Sequence, residues 1–233
     1  MRRETSRRRT AYALAAAVAV IVLAVFGSAY LYYGSGSPGG QRPIILYVNQ
    51  GNGVVNGSGF GTMLGFASSH GFNTVFFQVY RQGRLLFSPT TLSSFVNQTH
   101  RAGMKIFFAL YITDSSQALP VKILGLQEDG VSLDMSTVPL SAQESYLTAL
   151  KSDFNGETAV TTTDMASPLR PGLLVLETYG SADRQYIRTG IVASVGVFAT
   201  SGQADYAAQF QYALENSDGV MVFDYYGLQK AGY

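Results

Sequence analysis

The chain of 233 residues contains no cysteine and no tryptophan, only two histidines, and few charged residues, which make up 13% of the total. Without cysteine the protein is not a disulfide scaffold, and two histidines alone argue against a zinc site. The hydrophobic share of 47% excludes a disordered chain. We therefore expect one folded domain and a separate terminal segment, with no cofactor and no dedicated metal site. Calcium or magnesium bound by carboxylate oxygens alone stays open.

The charge of the chain is unevenly distributed along the sequence. Five of the 16 basic residues lie in the first ten positions together with one of the 15 acidic residues, so the remainder carries 11 basic and 14 acidic side chains. A nucleic-acid partner needs a basic face on the folded part. The sequence therefore predicts no nucleic-acid binding.

An uncharged apolar run, AYALAAAVAVIVLAVFGSAYLYY, occupies residues 11–33. At 1.5 Å per residue it is long enough to cross a bilayer core about 30 Å thick, so we predict a transmembrane anchor. The basic residues of segment 1–10 predict a cytoplasmic tail and a single-pass plasma-membrane protein whose folded part lies outside. The alternatives are a cleaved secretory signal, since small residues occupy 27–29, and a twin-arginine signal at 6–9, which lacks the bulky apolar pair expected next. Residues 34–43 are rich in Gly, Ser and Pro and predict a flexible linker before a folded domain at 44–233.

Short runs of β-branched and aromatic residues recur eight times in the folded part. They lie at 44–50, 74–80, 105–113, 130–135, 158–164, 173–179, 191–199 and 220–226. Helical stretches are predicted between many of them, near 60–70, 90–102, 140–153 and 202–216, with shorter pieces near 121–127 and 181–188. Strands that alternate with helices predict parallel βα units.

Eight such units predict a (β/α)8 barrel, with an open doubly wound sheet as the alternative. The barrel is expected to be small and trimmed, because only MASPLRPG separates the fifth and sixth strands after Asp164 and few residues follow the eighth strand. In this fold the reactive groups gather at the carboxyl ends of the strands. That rule turns the strand assignment into a prediction of site residues.

The residues at the predicted strand ends include five carboxylates and several tyrosines. They are Tyr47, Asn49, Tyr80, Arg81, Tyr111, Asp114, Asp134, Asp164, Glu177, Tyr179, Asp224 and Tyr225. Two carboxyl groups across a cleft are what glycoside cleavage needs, one protonated and one ionised. Asp134 and Glu177 are the predicted pair, because their strands are separated by one strand only. Asp164 on the intervening strand is the reserve, and the remaining residues apart from Asn49 are predicted to bind substrate.

Three segments resemble glycoside-hydrolase-like (β/α)8 barrel families. GFNTVFFQVYRQGRLLFSP (71–89) is similar to their second strand, RAGMKIFFALYIT (101–113) to their third, and EDGVSLDMS (128–136) to their fourth. The resemblance covers about half of the folded part. It implies an exported sugar-processing barrel with Asp129 and Asp134 as the motif acids, and it places Arg81 one position away from the family arginine.

The sequence also departs from related patterns. The run at 128–136 is distantly similar to the chitinase-type strand, but Ser136 occupies the position of the catalytic glutamate and Ser132 that of an aspartate. The seventh strand carries no carboxylate, which excludes the plan with an acid on strand four and a nucleophile on strand seven. A plan that uses strands four and six, as in barrel α-galactosidases, stays open by analogy. Sugar subsites usually stack on aromatic rings, and the 15 tyrosines and 14 phenylalanines would have to replace the missing tryptophan.

Two functions from different classes remain. One is a membrane-anchored glycoside hydrolase that acts on envelope or environmental polysaccharide through the Asp134 and Glu177 pair. The other is a catalytically degenerate barrel that binds glycan or an envelope protein. An unrelated activity on the same fold stays open, and the oligomeric state is not predicted.

Overall fold

Nine strands and five helices form the part of the chain that the structure describes, residues 41–51, 55, 57–197 and 206–232 of a computed structural model. The strands are β1 (Ile44–Val48), β2 (Thr74–Arg81), β3 (Arg84–Leu85), β4 (Lys105–Tyr111), β5 (Gly130–Asp134), β6 (Glu157–Thr162), β7 (Leu173–Glu177), β8 (Val192–Gly196) and β9 (Gly219–Phe223). The helices are α1 (Gly57–Ser69), α2 (Pro89–Arg101), α3 (Leu140–Asp153), α4 (Tyr206–Asn216) and α5 (Tyr225–Ala231), and 3-10 turns occupy Val121–Ile123 and Ser181–Tyr186.

Eight of the strands close into a parallel barrel. The hydrogen-bonded order runs β1, β9, β8, β7, β6, β5, β4, β2, and β2 pairs with β1 to complete the ring. The short strand β3 is antiparallel to β2 and lies outside the ring. The prediction of a (β/α)8 barrel is thus confirmed at the level of the fold, and the open sheet is excluded. The barrel occupies the unit Pro43–Tyr233.

The barrel interior is filled by apolar side chains from almost every strand. The buried cluster comprises Ile45, Tyr47, Phe76, Phe107, Ala109, Ala159, Val175, Val192 and Met221. The rings of Phe76 and Phe107 stack with centroids 4.8 Å apart. A Cβ atom at Gly130 would lie 2.2 Å from the Phe107 ring, so only glycine leaves room for the ring at this position. Each fully buried phenylalanine contributes about 1.5–3 kcal/mol to folding.

The connections are trimmed where the sequence predicts it. Residues 163–172, between β6 and β7, contain no helix. The predicted eighth strand, 220–226, is too long, because the last strand of the structure ends at Phe223. Asp224 caps α5 by accepting a hydrogen bond from the Gly227 amide at 2.9 Å, and Tyr225 therefore begins a helix.

The predicted tail, the membrane segment 11–33 and most of the linker lie outside the described residues. Within the described ranges, no helix combines the length and the apolar character needed to cross a bilayer.

Candidate active site

A cavity of about 270 Å³ opens where the strands end. Its wall is formed by Asn49, Gln78, Arg81, Tyr111, Asp134, Ser136, Glu177, Tyr179 and Phe223. These residues come from the carboxyl ends of β1, β2, β4, β5, β7 and β9 or from the positions that directly follow them. The cavity thus lies at the barrel face that carries the active sites of enzymes with this fold.

The two predicted carboxylates meet at this cavity through one serine. The Ser136 hydroxyl lies 3.2 Å from Asp134 Oδ1 and also contacts Glu177 Oε1. Two oxygens that share one hydrogen-bonding atom are at most about 6 Å apart. The Tyr47 hydroxyl donates to Asp134 Oδ2 at 2.9 Å from inside the barrel.

Burial raises the pKa of both carboxyl groups. The pKa of Asp134 rises from 3.8 to about 6 because the group is desolvated, and the hydrogen bonds from Tyr47 and Ser136 hold it below what burial alone would give. The pKa of Glu177 rises from 4.5 to about 7, again through burial, with a further increase from the nearby Asp134 charge. Glu177 is therefore the group that keeps its proton to higher pH.

The contacts of Ser136 agree with this order of ionisation. A serine hydroxyl has one proton to donate, yet Ser136 touches two carboxyl groups. Both contacts are satisfied when protonated Glu177 donates to Ser136 and Ser136 donates to ionised Asp134. This arrangement holds one acid and one base side by side near neutral pH.

The raised pKa of Glu177 has a consequence for stability. A carboxyl group whose pKa is higher in the folded state contributes stability at low pH that is lost as the pH rises from about 4.5 to about 7. We expect Glu177→Gln to be more stable than the natural protein by about 1–3 kcal/mol at pH 8, and the difference to shrink toward zero near pH 4. Chemical unfolding followed across that pH range measures the difference.

The exposed Glu144 on α3 supplies the matched control. The difference between Glu144→Gln and the natural protein should not vary with pH in this way. An equal pH dependence in both variants would mean that Glu177 is not desolvated in the folded state.

Arg81 lines the cavity because β2 contains an irregularity. The pairing with β4 shifts between Gln78 and Tyr80, so Val79 is an extra residue in β2. Side chains alternate along a regular strand, and one extra residue exchanges inward and outward positions beyond it. Arg81 consequently faces the cavity, and Tyr80 points away and donates to the Ala118 carbonyl at 2.7 Å.

Of the other predicted tyrosines, two line the cavity and two do not. Tyr111 and Tyr179 line the cavity. Tyr47 lies beneath it, where burial and the Asp134 charge raise the pKa of its phenol well above the usual value. Tyr225 is on α5, with its ring edge-to-face against Phe66.

Three predicted carboxylates lie elsewhere in local turns or caps. Asp114 accepts a hydrogen bond from the Ser116 amide at 2.8 Å, which lowers the pKa of its carboxyl. Asp164 accepts from the Ala166 amide at 3.0 Å, and Asp224 caps α5. The motif acid Asp129 lies at the opposite end of β5 and pairs with His100 at 2.9 Å.

Three wall residues were not predicted: Gln78, Ser136 and Phe223. Alternation would have identified two of them, because Gln78 lies two residues after the inward-facing Phe76 and Ser136 two residues after Asp134. Gln78 also accepts a hydrogen bond from the Gln50 amide at 2.9 Å, which ties the end of β2 to the residue after β1.

No group of three or more potential metal ligands occurs among the residues that the structure describes. The polar side chains that line the cavity are two carboxyl groups, two amides, a serine, an arginine and two phenols.

The fold is similar to those of several glycoside hydrolases. A β-N-acetylhexosaminidase from Streptomyces coelicolor A3(2) matches with a TM-score of 0.56 and 8% identity over 84% of this chain and 65% of that chain. A β-mannanase from Thermomonospora fusca, in complex with mannohexaose, matches with a TM-score of 0.54 and 12% identity over 82% and 81%. An O-GlcNAc hydrolase from Thermobaculum terrenum matches with a TM-score of 0.50 and 10% identity over 78% of this chain and 54% of that chain, so this chain spans about half its length.

Identities this low show a shared fold only, so the activity has to be inferred from the residues of the site. No protein-family model matches the sequence, and no curated protein matches it either. The fold defines a parallel (β/α)8 barrel, and it is similar in fold to these glycoside hydrolases.

Proposed function

We propose that the protein is a glycoside hydrolase that cleaves envelope or environmental polysaccharide with Asp134 and Glu177. The observation that carries the proposal is the pair itself: two carboxyl groups withdrawn from solvent, bridged by Ser136 at the cavity of a parallel barrel whose fold is similar to those of glycoside hydrolases. Glycoside cleavage requires one carboxylic acid and one carboxylate in this relation.

The surroundings of the two groups support different roles. Asp134 is 5% exposed and accepts hydrogen bonds from Tyr47 and Ser136, which stabilise its ionised form. Glu177 is less buried and has the higher pKa, about 7. Glu177 therefore suits the general acid, and Asp134 the nucleophile.

The separation of the groups supports a double-displacement mechanism. Retaining glycosidases hold their carboxyl groups about 5–5.5 Å apart and inverting enzymes about 6.5–9.5 Å apart. The shared contact with Ser136 limits the oxygens to about 6 Å, which is too close for a water molecule placed between base and sugar.

The reaction then takes two steps. Asp134 attacks the anomeric carbon as Glu177 transfers its proton to the departing glycosidic oxygen, so the C–O bond breaks and a glycosyl ester forms. Glu177, now ionised, removes a proton from water, and the resulting hydroxide releases the sugar from Asp134. Both carboxyl groups return to their starting states.

The proposed enzyme is anchored in the plasma membrane. The apolar run at 11–33 and the basic residues before it support a single-pass anchor in the plasma membrane, with the barrel outside. An anchored enzyme would meet polysaccharide at the cell envelope.

The test is hydrolysis of a broad panel of polysaccharides and aryl glycosides by the full chain, purified in detergent. We expect turnover of at least one member, and loss of that turnover in the double variant Asp134→Asn, Glu177→Gln. Turnover that survives the double substitution would show that Asp134 and Glu177 are not the catalytic pair. Binding of glycans without turnover of any panel member would instead support a degenerate, glycan-binding barrel.

A further inference from the structure

Arg81 lies in the cavity wall, and its guanidinium makes no ion pair or hydrogen bond to any other residue that the structure describes. It is not a counter-ion of the acids, because Asp134 and Glu177 are engaged with Tyr47 and Ser136 instead. Strands β2 and β7 are four steps apart in either direction around the ring of eight strands, so Arg81 and Glu177 come from opposite walls. Asp134 on β5 lies two strands from Arg81, with Tyr111 of β4 between them in register, so of the two acids only Glu177 comes from the opposite wall.

The guanidinium packs against an aromatic ring and against the backbone of a glycine. Its central carbon lies 5.5 Å from the centre of the Tyr111 ring. A Cβ atom at Gly51 would lie 1.6 Å from Arg81 Nη1, so the group rests directly on the Gly51 backbone. These contacts restrict the position of the guanidinium, and its N–H donors have no acceptor in the described part of the protein.

Two further hydrogen-bonding groups lie beside Arg81 in the wall. Asn49 Oδ1 accepts from the Gly51 amide at 2.7 Å, which orients the side chain and leaves its NH2 group to donate. Tyr111 is the register neighbour of Arg81 on β4 and adds a hydroxyl. We call Asn49, Arg81 and Tyr111 the donor wall, and its three members lie on or directly after the adjacent strands β1, β2 and β4.

We propose that the donor wall binds an anionic substituent of the sugar, so that the substrates are acidic glycans. The inference rests on the proposed function, because it assigns a substrate class to the same cavity. A planar guanidinium with free donors matches the oxygens of a carboxylate or a sulfate. A neutral sugar would remove water from the guanidinium without supplying an opposite charge, which is costly.

The test measures binding separately from catalysis, using full-length Glu177→Gln so that bound sugars stay intact. Three probes of equal length are titrated: an oligogalacturonate, a sulfated galactan oligosaccharide and a neutral galactan oligosaccharide. Hydrogen bonds between oppositely charged groups are stronger than those to neutral groups, so we expect at least one anionic probe to bind about 10- to 100-fold more tightly than the neutral one. The two anionic probes distinguish a carboxylate from a sulfate.

Three further substitutions, each added to Glu177→Gln, test whether Arg81 causes the preference for anionic probes. Arg81→Gln should abolish it. Gly51→Ala should weaken it, because the new methyl group occupies the position of the guanidinium. Arg84→Gln, which removes an exposed arginine on β3, should leave it unchanged. Circular dichroism checks that each variant is folded.

Equal binding of the three probes, no binding of either anionic probe, or a preference that survives Arg81→Gln would overturn the inference. These outcomes are distinct from failure of the proposed function. An anionic preference in a protein that hydrolyses nothing would leave the donor wall standing and refute the enzyme. Hydrolysis confined to neutral glycans would support the enzyme and refute the role of the donor wall.

Discussion

Glu177→Gln is expected to lower kcat/KM by about 10²- to 10⁴-fold for glycosides whose leaving group needs a proton. Glutamine keeps the size of the side chain and its contact with Ser136 but has no proton to transfer to the glycosidic oxygen. The loss should be much smaller for 2,4-dinitrophenyl glycosides, whose leaving group departs without protonation. Steady-state kinetics with a series of aryl glycosides of the sugar identified in the panel measures this dependence.

The same substitution also tests the pH dependence. If Glu177 is the acid, the loss of activity at high pH in the natural enzyme follows its pKa of about 7 and should disappear in Glu177→Gln with the dinitrophenyl substrate. Glu144→Gln should behave like the natural protein. A loss that is equal for good and poor leaving groups would show that Glu177 is not the proton donor.

Asp134→Asn is expected to lower kcat/KM by at least about 10³-fold with every leaving group, because no nucleophile remains to attack the anomeric carbon. The amide still accepts the hydrogen bond from Tyr47, so the barrel interior need not rearrange. Activity of Asp134→Asn toward dinitrophenyl glycosides separates the two roles: it should stay low, whereas that of Glu177→Gln recovers.

Asp153→Asn at the exposed end of α3 is the control for loss of a carboxylate. It should retain full activity. Recovery of Asp134→Asn with a good leaving group would mean that Asp134 supports proton transfer rather than attacking the sugar.

The barrel was predictable because its strands are distinctive in sequence. Continuous runs of β-branched and aromatic residues, such as TVFFQVYR in β2, are typical of strands buried on both faces. The helix α3 begins and ends where the sequence predicts, at 140 and 153. The end of the last strand was less clear, because Asp224 and the tyrosines after it suit a strand as well as a capped helix.

The candidate site was predictable in part. The strand-end rule placed Asp134 and Glu177 in one cavity, because parallel strands all end at the same face of the barrel. It could not separate them from Asp114 and Asp164, which follow strands too but bind backbone amides in turns. The irregularity at Val79 was also beyond prediction, and it decides that Arg81 rather than Tyr80 faces the cavity.

The bridging role of Ser136 depends on geometry between distant strands. In the sequence this serine is a departure from the chitinase-type pattern, where a catalytic glutamate would be. In the structure it joins Asp134 to Glu177, which is 41 residues further along the chain. In the proposed mechanism the glutamate comes from β7 instead of from the end of β5.

The most direct test of the central claim is covalent trapping of the sugar on the enzyme. A 2-deoxy-2-fluoro glycoside with an activated leaving group, made from the best panel substrate, slows release of the glycosyl ester and allows peptide mass spectrometry of the labelled chain. We expect one added sugar, on Asp134, in the natural protein and no labelled chain in Asp134→Asn. A label on any other carboxylate, or an unlabelled protein that still turns over the parent glycoside, would contradict it.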